Sequence, residues 1–379
     1  MDHEYITTRE ALTRAIERLS AHAILGVDTE AAGYHRYHDR ISLVQISSTD
    51  ENVLIDPLEI EDLSPLATLF DDSRIQKIFH DADFDLRILD RDLGLRVVNL
   101  FDTQIAAAFV GAPGLGLGAV VEQFLGLSLP KAYQRADWAE RPLTEGMREY
   151  AATDTAHLLD LREALLAKLE ELGRLEWARE EFVRREATRW TPPDPSDEPY
   201  LRIKGVRDLT PRGLAILREV YAWREAVGKE RDQATFRVLS NKSMLEIGAK
   251  APKTASELAA IGGVSTGLVD RRGRDLLAAV RRGEAVPDDE RPRFAPPRRW
   301  ERDLEVEERS ERLRQTRNRI AGELGLDPGF MISRALLDEV ARNDPTSPAK
   351  LLEIPDIRRW QVEVFGDELL NARRENKTP

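Results

Sequence analysis

A chain of 379 residues exceeds a single small core and has room for two or three domains. Its 41% hydrophobic and 33% charged residues are those of a globular protein, and no run approaches the roughly 18–20 apolar residues of a membrane span. With no cysteine, disulfides, thiolate metal sites and cysteine nucleophiles are all excluded, and a net charge of −12 argues against a general polyanion binder.

The opening residues, MDHEYITTREALTRAIERL, read as an amphipathic helix with no apolar stretch suited to a secretory signal, so a cytoplasmic location is expected. AILGVDTE, ISLVQISS and NVLIDP follow as short β-branched-rich runs separated by polar turns, the pattern of an antiparallel meander. IQKIFHDA and RVVNL read as further strands, each followed by a helical pattern. GLGLG at 114–118 follows a helical run, Thr103 to Val110, and no lysine closes it into a phosphate loop, so it reads as a helix–helix connection. A long amphipathic stretch covers Leu143 to Leu172, and another helix runs to about Arg189. A meander followed by strand–helix alternation suits one mixed sheet flanked by helices.

Two proline-rich stretches, TPPDPSDEP (191–199) and AVPDDERPRFAPPR (285–298), read as linkers and divide the chain into 1–190, 200–284 and 299–379. The second segment opens its first helix with Thr210 as N-cap and Pro211 at the first helical position. Leu214, Leu217, Tyr221 and Trp223 or Val227 form its core-facing stripe. Residues 200–283 hold 17 Lys and Arg against 9 Asp and Glu, a net of +8, so the remainder carries −20. An acidic body with one basic segment fits a separate module that grips nucleic acid; a solvated helical surface is the other reading. ERLRQTRNRIAGELGL, SRALLDEVAR, PAKLLEI and RRWQVEVFGDELLNARR make the third segment a comparable helical series.

Three groups of acids carry the chemistry. Asp28 and Glu30 stand where an apolar strand runs out, and residues i and i+2 of a strand share a face. Two carboxylates side by side are costly unless cations neutralise them, and magnesium or manganese suits all-oxygen ligands. In IFHDADFDLRIL (78–89), Asp81, Asp83 and Asp85 open a helix; helix capping accounts for some of them, and Asp85 is the one whose helix anchors aim it back at the strand end. Tyr150 and Asp154 lie one turn apart on a later helix, on one face.

D-x-E on a first strand, an aspartate after a later strand and Y-x-x-x-D on a late helix match, in that order, the DEDD exonuclease superfamily in its tyrosine subclass. The sequence resembles the ribonuclease D family within it, also through DWAERPL at 137–143. Residues 200–283 resemble the helicase-and-RNase-D C-terminal (HRDC) domain, and the last segment a more divergent second copy, through LGLDP, RRW and FGDELL. The resemblance implies an α/β ribonuclease H-like exonuclease domain over 1–190, then two small all-α HRDC-type domains over 200–284 and 299–379. It implies two divalent metal ions, Mg2+ or Mn2+, with Asp28 bridging both, Glu30 and Asp154 completing one site, and Asp85 helping to hold the other. Tyr150 would orient the attacking water, since a free phenol with a pKa of about 10 is a poor base at neutral pH.

The implied activity is 3′→5′ exoribonuclease action releasing nucleoside 5′-monophosphates. Precursor tRNA with a free 3′ end is the family-type substrate, and a monomer with no membrane partner is expected. Many relatives carry an aromatic residue directly after D-x-E; here Ala31 follows, with Tyr34 and Tyr37 further along. Lys131, Gln134 and Arg141 around the site, and Lys229, Arg231 and Lys242 in the first helical module, are candidate phosphate contacts, with solvation as the alternative for each. Two rival functions are a DNA exonuclease using the same metal chemistry and an inactive nucleic-acid-binding adaptor. A missing carboxylate would mark the adaptor, and all four are present.

Overall fold

The computed structural model describes residues 2–130, 132–194, 196–294 and 303–374. The leading segment builds one six-stranded sheet from β1 (Glu4–Ile6), β2 (Ile24–Ala31), β3 (Ile41–Ser47), β4 (Asn52–Ile55), β5 (Gln76–Phe79) and β6 (Leu100–Asp102). Their order is β1-β4-β3-β2-β5-β6. The pairs β2–β3 and β3–β4 are antiparallel, as the β-branched-rich runs and short polar turns predict. β1, β5 and β6 each join in parallel, so the sheet is mixed. Every residue of β3 is buried, because helices cover both faces of the sheet. Leu12, Ile16 and Leu19 of the Arg9–Leu19 helix pack with Leu25, Val27, Val44 and Ile46 on one side. Met147, Tyr150 and Ala151 of the Glu145–Ala156 helix pack with Leu43 and Leu54 on the other. Among the described residues, no helix is long and apolar enough to cross a membrane.

Three local expectations shift. The opening stretch is not one helix: Glu4–Ile6 is a parallel edge strand in register with Val53 to Ile55, and the helix starts only after Thr8, whose hydroxyl accepts from Ala11 N. RVVNL forms its strand late, at Leu100–Asp102, because Asn99 takes a left-handed φ of 54° and Val98 N bonds Phe70 O, leaving Val97 and Val98 in a loop. The Leu143–Leu172 stretch breaks at His157 into the Glu145–Ala156 and Leu158–Glu171 helices. That break lies over β2, where a Cβ on Gly26 would stand 3.0 Å from Thr155 O; glycine lets helix and strand approach there.

Two helical modules follow, built on one plan. Each begins with a helix of 21 residues, Pro211–Arg231 or Leu304–Leu324. A four-residue helix comes next, Thr235–Val238 or Pro328–Met331. Then comes a serine-capped helix, Asn241–Lys250 behind Ser240 or Arg334–Asn343 behind Ser333. A short helix capped by Thr254 or Ser347 leads to the last long one, Thr266–Glu284 or Arg359–Arg374. A buried arginine recurs at the same place: Arg224 donates to Leu239 O and Asn241 Oδ1, and Arg317 to Ile332 O.

The cores differ. Residues Tyr200 to Val280 of the first module pack among themselves. Those of the second share one core with the leading segment, where Phe109 meets Phe330 at 4.7 Å and Trp177 stacks on Trp360 at 5.5 Å.

Candidate active site

β2 places Asp28 and Glu30 on one face of the sheet, opposite Gln45 and Leu43 of β3, and a bulge follows directly after Glu30. The Glu145–Ala156 helix lies over that face, held by Thr144 accepting from Met147 N at its start and by the Ser47–Thr155 hydroxyl pair near its end. It carries Tyr150 and Asp154 on the side towards β2. Carboxylate oxygens of Asp28, Glu30 and Asp154 lie within 4.8 Å of one another.

Asp85 enters from the first turn of the Asp83–Leu93 helix and is only 6% exposed. Thr29 Oγ1, between the two acids of β2, donates to Asp85 Oδ1 at 2.5 Å. The neighbouring acids do other work: Asp83 pairs with Arg87 (2.9 Å) and Arg185 (2.5 Å), while Asp81 takes a left-handed φ of 60°. Holding that turn is Asp102, wholly buried, whose carboxylate accepts from Asp81 N (3.1 Å) and Ala82 N (3.0 Å) while capping the Thr103–Phe109 helix. Sequence reasoning missed Asp102; its one signal is Asp-Thr at the end of a strand before a helical run.

Burial drives the electrostatics. It raises Asp28 well above the usual carboxylate range, and the charges of Asp85, Glu30 and Asp154 add to the effect. Glu30 rises from burial and then from Asp154 and Asp85. Burial also pushes Asp85 and Asp154 each up to about 7, against the hydrogen bonds from Thr29 and Tyr150. Tyr150 is raised in turn by burial and by the Asp154 and Glu30 charges, so its phenol keeps its proton at neutral pH and serves as a hydrogen-bond donor.

A cavity of about 420 Å³ opens onto the cluster, lined by Asp28, Tyr150 and Asp154 with His80, Gly116, Leu117 and Gln134. No lysine or arginine lines it among the described residues. An all-oxygen donor set whose negative charge no side chain compensates fits hard divalent cations such as Mg2+ or Mn2+. The 114–118 segment is indeed a helix–helix connection, between the Thr103–Phe109 and Leu117–Leu125 helices, yet its end forms one wall of this cavity.

The candidate phosphate contacts scatter. Gln134 lines the cavity, and Lys131 lies outside the described residues. Arg141 is a correction: its guanidinium binds the fully buried Asp56 through Nε (2.6 Å) and Nη2 (2.8 Å) and also reaches Ser42 O, Trp138 O and Glu140 O, so all five N–H donors are taken and none is left for RNA. Lys229 and Arg231 are exposed in the last turn of the Pro211–Arg231 helix, and Lys242 is exposed in the first turn of the Asn241–Lys250 helix. These three stand apart from the carboxylates, in the first module.

Comparison with known proteins adds three observations. A family model described as a 3′-5′ exonuclease matches residues 3–170, and the HRDC domain model matches twice, at 213–280 and 306–372. Ribonuclease D of Pseudomonas paraeruginosa is 33% identical over 372 residues, covering 97% of this chain and 97% of that protein. Among solved structures, a protein from Bifidobacterium adolescentis superposes with a TM-score of 0.83 at 27% identity, over 98% of this chain and 96% of the other. Escherichia coli RNase D, an exoribonuclease involved in structured RNA processing, superposes with a TM-score of 0.69 at 27% identity over both whole chains.

Proposed function

The chain belongs to the ribonuclease D family and is a 3′→5′ exoribonuclease; from that premise we propose that it trims precursor tRNA, releasing nucleoside 5′-monophosphates one at a time. The observation that carries the reading is the convergence of Asp28, Glu30 and Asp154 oxygens within 4.8 Å beside Tyr150, in a cavity without compensating cations. On this reading Asp28, Glu30, Asp85 and Asp154 would hold two divalent ions, Mg2+ or Mn2+, with Asp28 serving both, Glu30 and Asp154 one of them, and Asp85 the other. Bound there, such ions would make a water more acidic and would stabilise negative charge on the leaving 3′ oxygen.

The protein's own groups set up the rest. Asp102 fixes the turn that delivers Asp85, and Thr29 holds its carboxylate. Tyr150, protonated, orients the attacking water by donating or relaying a hydrogen bond rather than by removing a proton. Water adds to the phosphorus of the last phosphodiester and gives up a proton, the bond to the preceding 3′ oxygen breaks, and a proton returned from solvent leaves that oxygen as a new 3′ hydroxyl.

We assign the exonuclease domain to 1–190 and the helical domains to 200–284 and 299–379. Gln134 at the cavity and Lys229, Arg231 and Lys242 on the first module contact RNA phosphates, and the enzyme works as a cytoplasmic monomer.

Timed digestion of 5′-labelled single-stranded RNA, with magnesium, with manganese and with chelator, tests the reading, run beside Asp28→Ala, Asp154→Asn and a matched DNA strand. A metal-dependent ladder shortening from the 3′ end, lost in both variants and weaker on DNA, is expected. RNA left intact under every metal condition yet retarded on a gel would replace catalysis with a binding role.

A further inference from the structure

The loop between β2 and β3 leaves the catalytic sheet and meets the first helical module. Ala234 N donates to His35 O (2.9 Å), His38 N donates to Asp232 Oδ1 (3.1 Å), and Tyr37 lies against Gly228. At this seam two aromatic side chains remain in solvent: Tyr34 is 44% exposed and Phe236 is 50% exposed. Tyr34 comes from the catalytic side and Phe236 from the module, and their rings lie 5.4 Å apart at 54°. The guanidiniums of Arg135 and Arg237 sit over the Tyr34 ring, 5.7 and 5.6 Å from its centre. Among the described residues neither arginine is paired with a carboxylate, although acids outnumber bases by 68 to 56 in the chain; Arg237 reaches the His35 ring instead.

An aromatic pair that only glued two domains together would be buried, since burial is what makes such a pair adhesive. This pair leaves about half of its surface to water and adds two uncompensated positive charges. Aromatic faces beside guanidiniums suit a nucleobase and its phosphate: every base offers a π-face for stacking, and arginine binds phosphate in a fork. The position also fits. Tyr34 is four residues beyond Glu30, a span of at most about 14 Å of chain. Arg135 directly follows Gln134, which lines the carboxylate cavity, and His35 Nε2 ties the loop to Arg135 O at 2.8 Å.

We propose that Tyr34 and Phe236, with Arg135 and Arg237, form a stacking platform for an unpaired nucleobase of the RNA strand, a few nucleotides upstream of the 3′ end held at the carboxylates. The platform is assembled only when the first module is docked, and it recognises a single strand without reading its sequence. The proposal rests on the reading of the carboxylate cavity as the place where the 3′ end is cut.

The test measures binding of short single-stranded RNAs to the full-length protein by fluorescence anisotropy in chelator, so that nothing is cleaved. Each RNA lacks one base at a known distance from its 3′ end. Wild type is expected to lose about ten-fold in affinity at one abasic position, and Tyr34→Ala to lose a similar factor on intact RNA. Tyr34→Ala should then be indifferent to that abasic position, because variant and lesion remove the same contact. Tyr34→Phe keeps the stacking face and should bind as wild type does, which separates stacking from misfolding. A flat abasic scan, losses that add, or RNA that does not bind at all would overturn the platform. Wild type that binds the RNA but does not shorten it with metal would instead overturn the cutting site, while the abasic scan still judges the platform.

Discussion

The two helical modules share their helices, caps and buried arginine, yet they are joined to the catalytic domain in opposite ways. The second inserts Phe330 and Trp360 against Phe109 and Trp177, and Glu181 accepts from the Trp360 indole (2.9 Å) and from Arg358 (2.9 Å). Its arginine Arg317 and the carbonyl of Leu324, which takes Arg174 at 2.7 Å, lie inside that shared core region. The first touches the catalytic domain through a few hydrogen bonds, the Arg36–Asp232 pair and the half-exposed Tyr34–Phe236 contact, while its buried apolar side chains pack among themselves. Charge divides them too. Residues 213–280 hold 11 Lys and Arg against 8 Asp and Glu, whereas 306–372 hold 10 against 13. One scaffold, used twice, has become a structural buttress in one copy and a basic arm docked on the β2–β3 loop in the other. An interface that is small and polar permits relative movement, and a large apolar one does not.

The sharpest way to break that comparison is to remove the buttress. Trp360→Ala deletes a side chain 2% exposed at the centre of the shared core and should cost about 3–5 kcal/mol, read as a loss of thermal stability across the catalytic domain. Phe236→Ala at the seam of the first module should cost under ~1 kcal/mol, because half of its surface is already in water. Equal losses for the two would dissolve the contrast.

The buttress also has a charge cluster to hold against. Asp154 titrates near 3.8 when unfolded and is raised to about 7 when folded, so between those values the folded chain binds more protons than the unfolded one. Stability of the metal-free protein therefore falls as pH rises from about 4 through 7, with Asp85, Asp28 and Glu30 acting in the same direction. Asp154→Asn should raise metal-free stability at pH 8 by on the order of 2–4 kcal/mol and change it little at pH 4. Added Mg2+ or Mn2+ should stabilise wild type at pH 8 and have much less effect on the variant. A wild-type melting temperature that stays level from pH 4 to pH 8 without metal would remove the repulsion from the account.

Much of this was legible in the residues, and what was not has a common cause. β2, β3 and β4 announce themselves by β-branched-rich runs and short polar turns, and Asp28, Glu30, Tyr150 and Asp154 by spacings that put pairs of side chains on one face. Those signals are local. β1 is a strand only because Val53 to Ile55 lie beside it, about fifty residues away in the chain, and nothing near Glu4 records that. His157 breaks a helix without proline or glycine to mark the place. Arg141 looks like any surface arginine until Asp56, 85 residues distant, takes its guanidinium. Asp102 reads as a helix cap, which it is, and its second task of holding the Asp81–Ala82 turn exists only in three dimensions. The different attachments of the two modules are of this kind as well, since each helix shows the same apolar period whichever partner it meets.

The smallest effect expected is also the one that separates the modules most cleanly. Lys229, Arg231 and Lys242 are exposed on the first module, whereas Arg319 and Arg342 of the second are paired with Glu323 and Glu339 at 2.7 Å. A cation held in a close ion pair releases few counterions on meeting a phosphate, while one outside such a pair releases more. Single replacements Lys229→Ala, Arg231→Ala and Lys242→Ala should each weaken RNA binding equally for all sequences and lower the slope of log affinity against log salt by about one. Arg319→Ala and Arg342→Ala should leave that slope within error of wild type. A slope that falls equally for replacements in both modules would mean that RNA runs across both, and the division into arm and buttress would have to be redrawn along the RNA path.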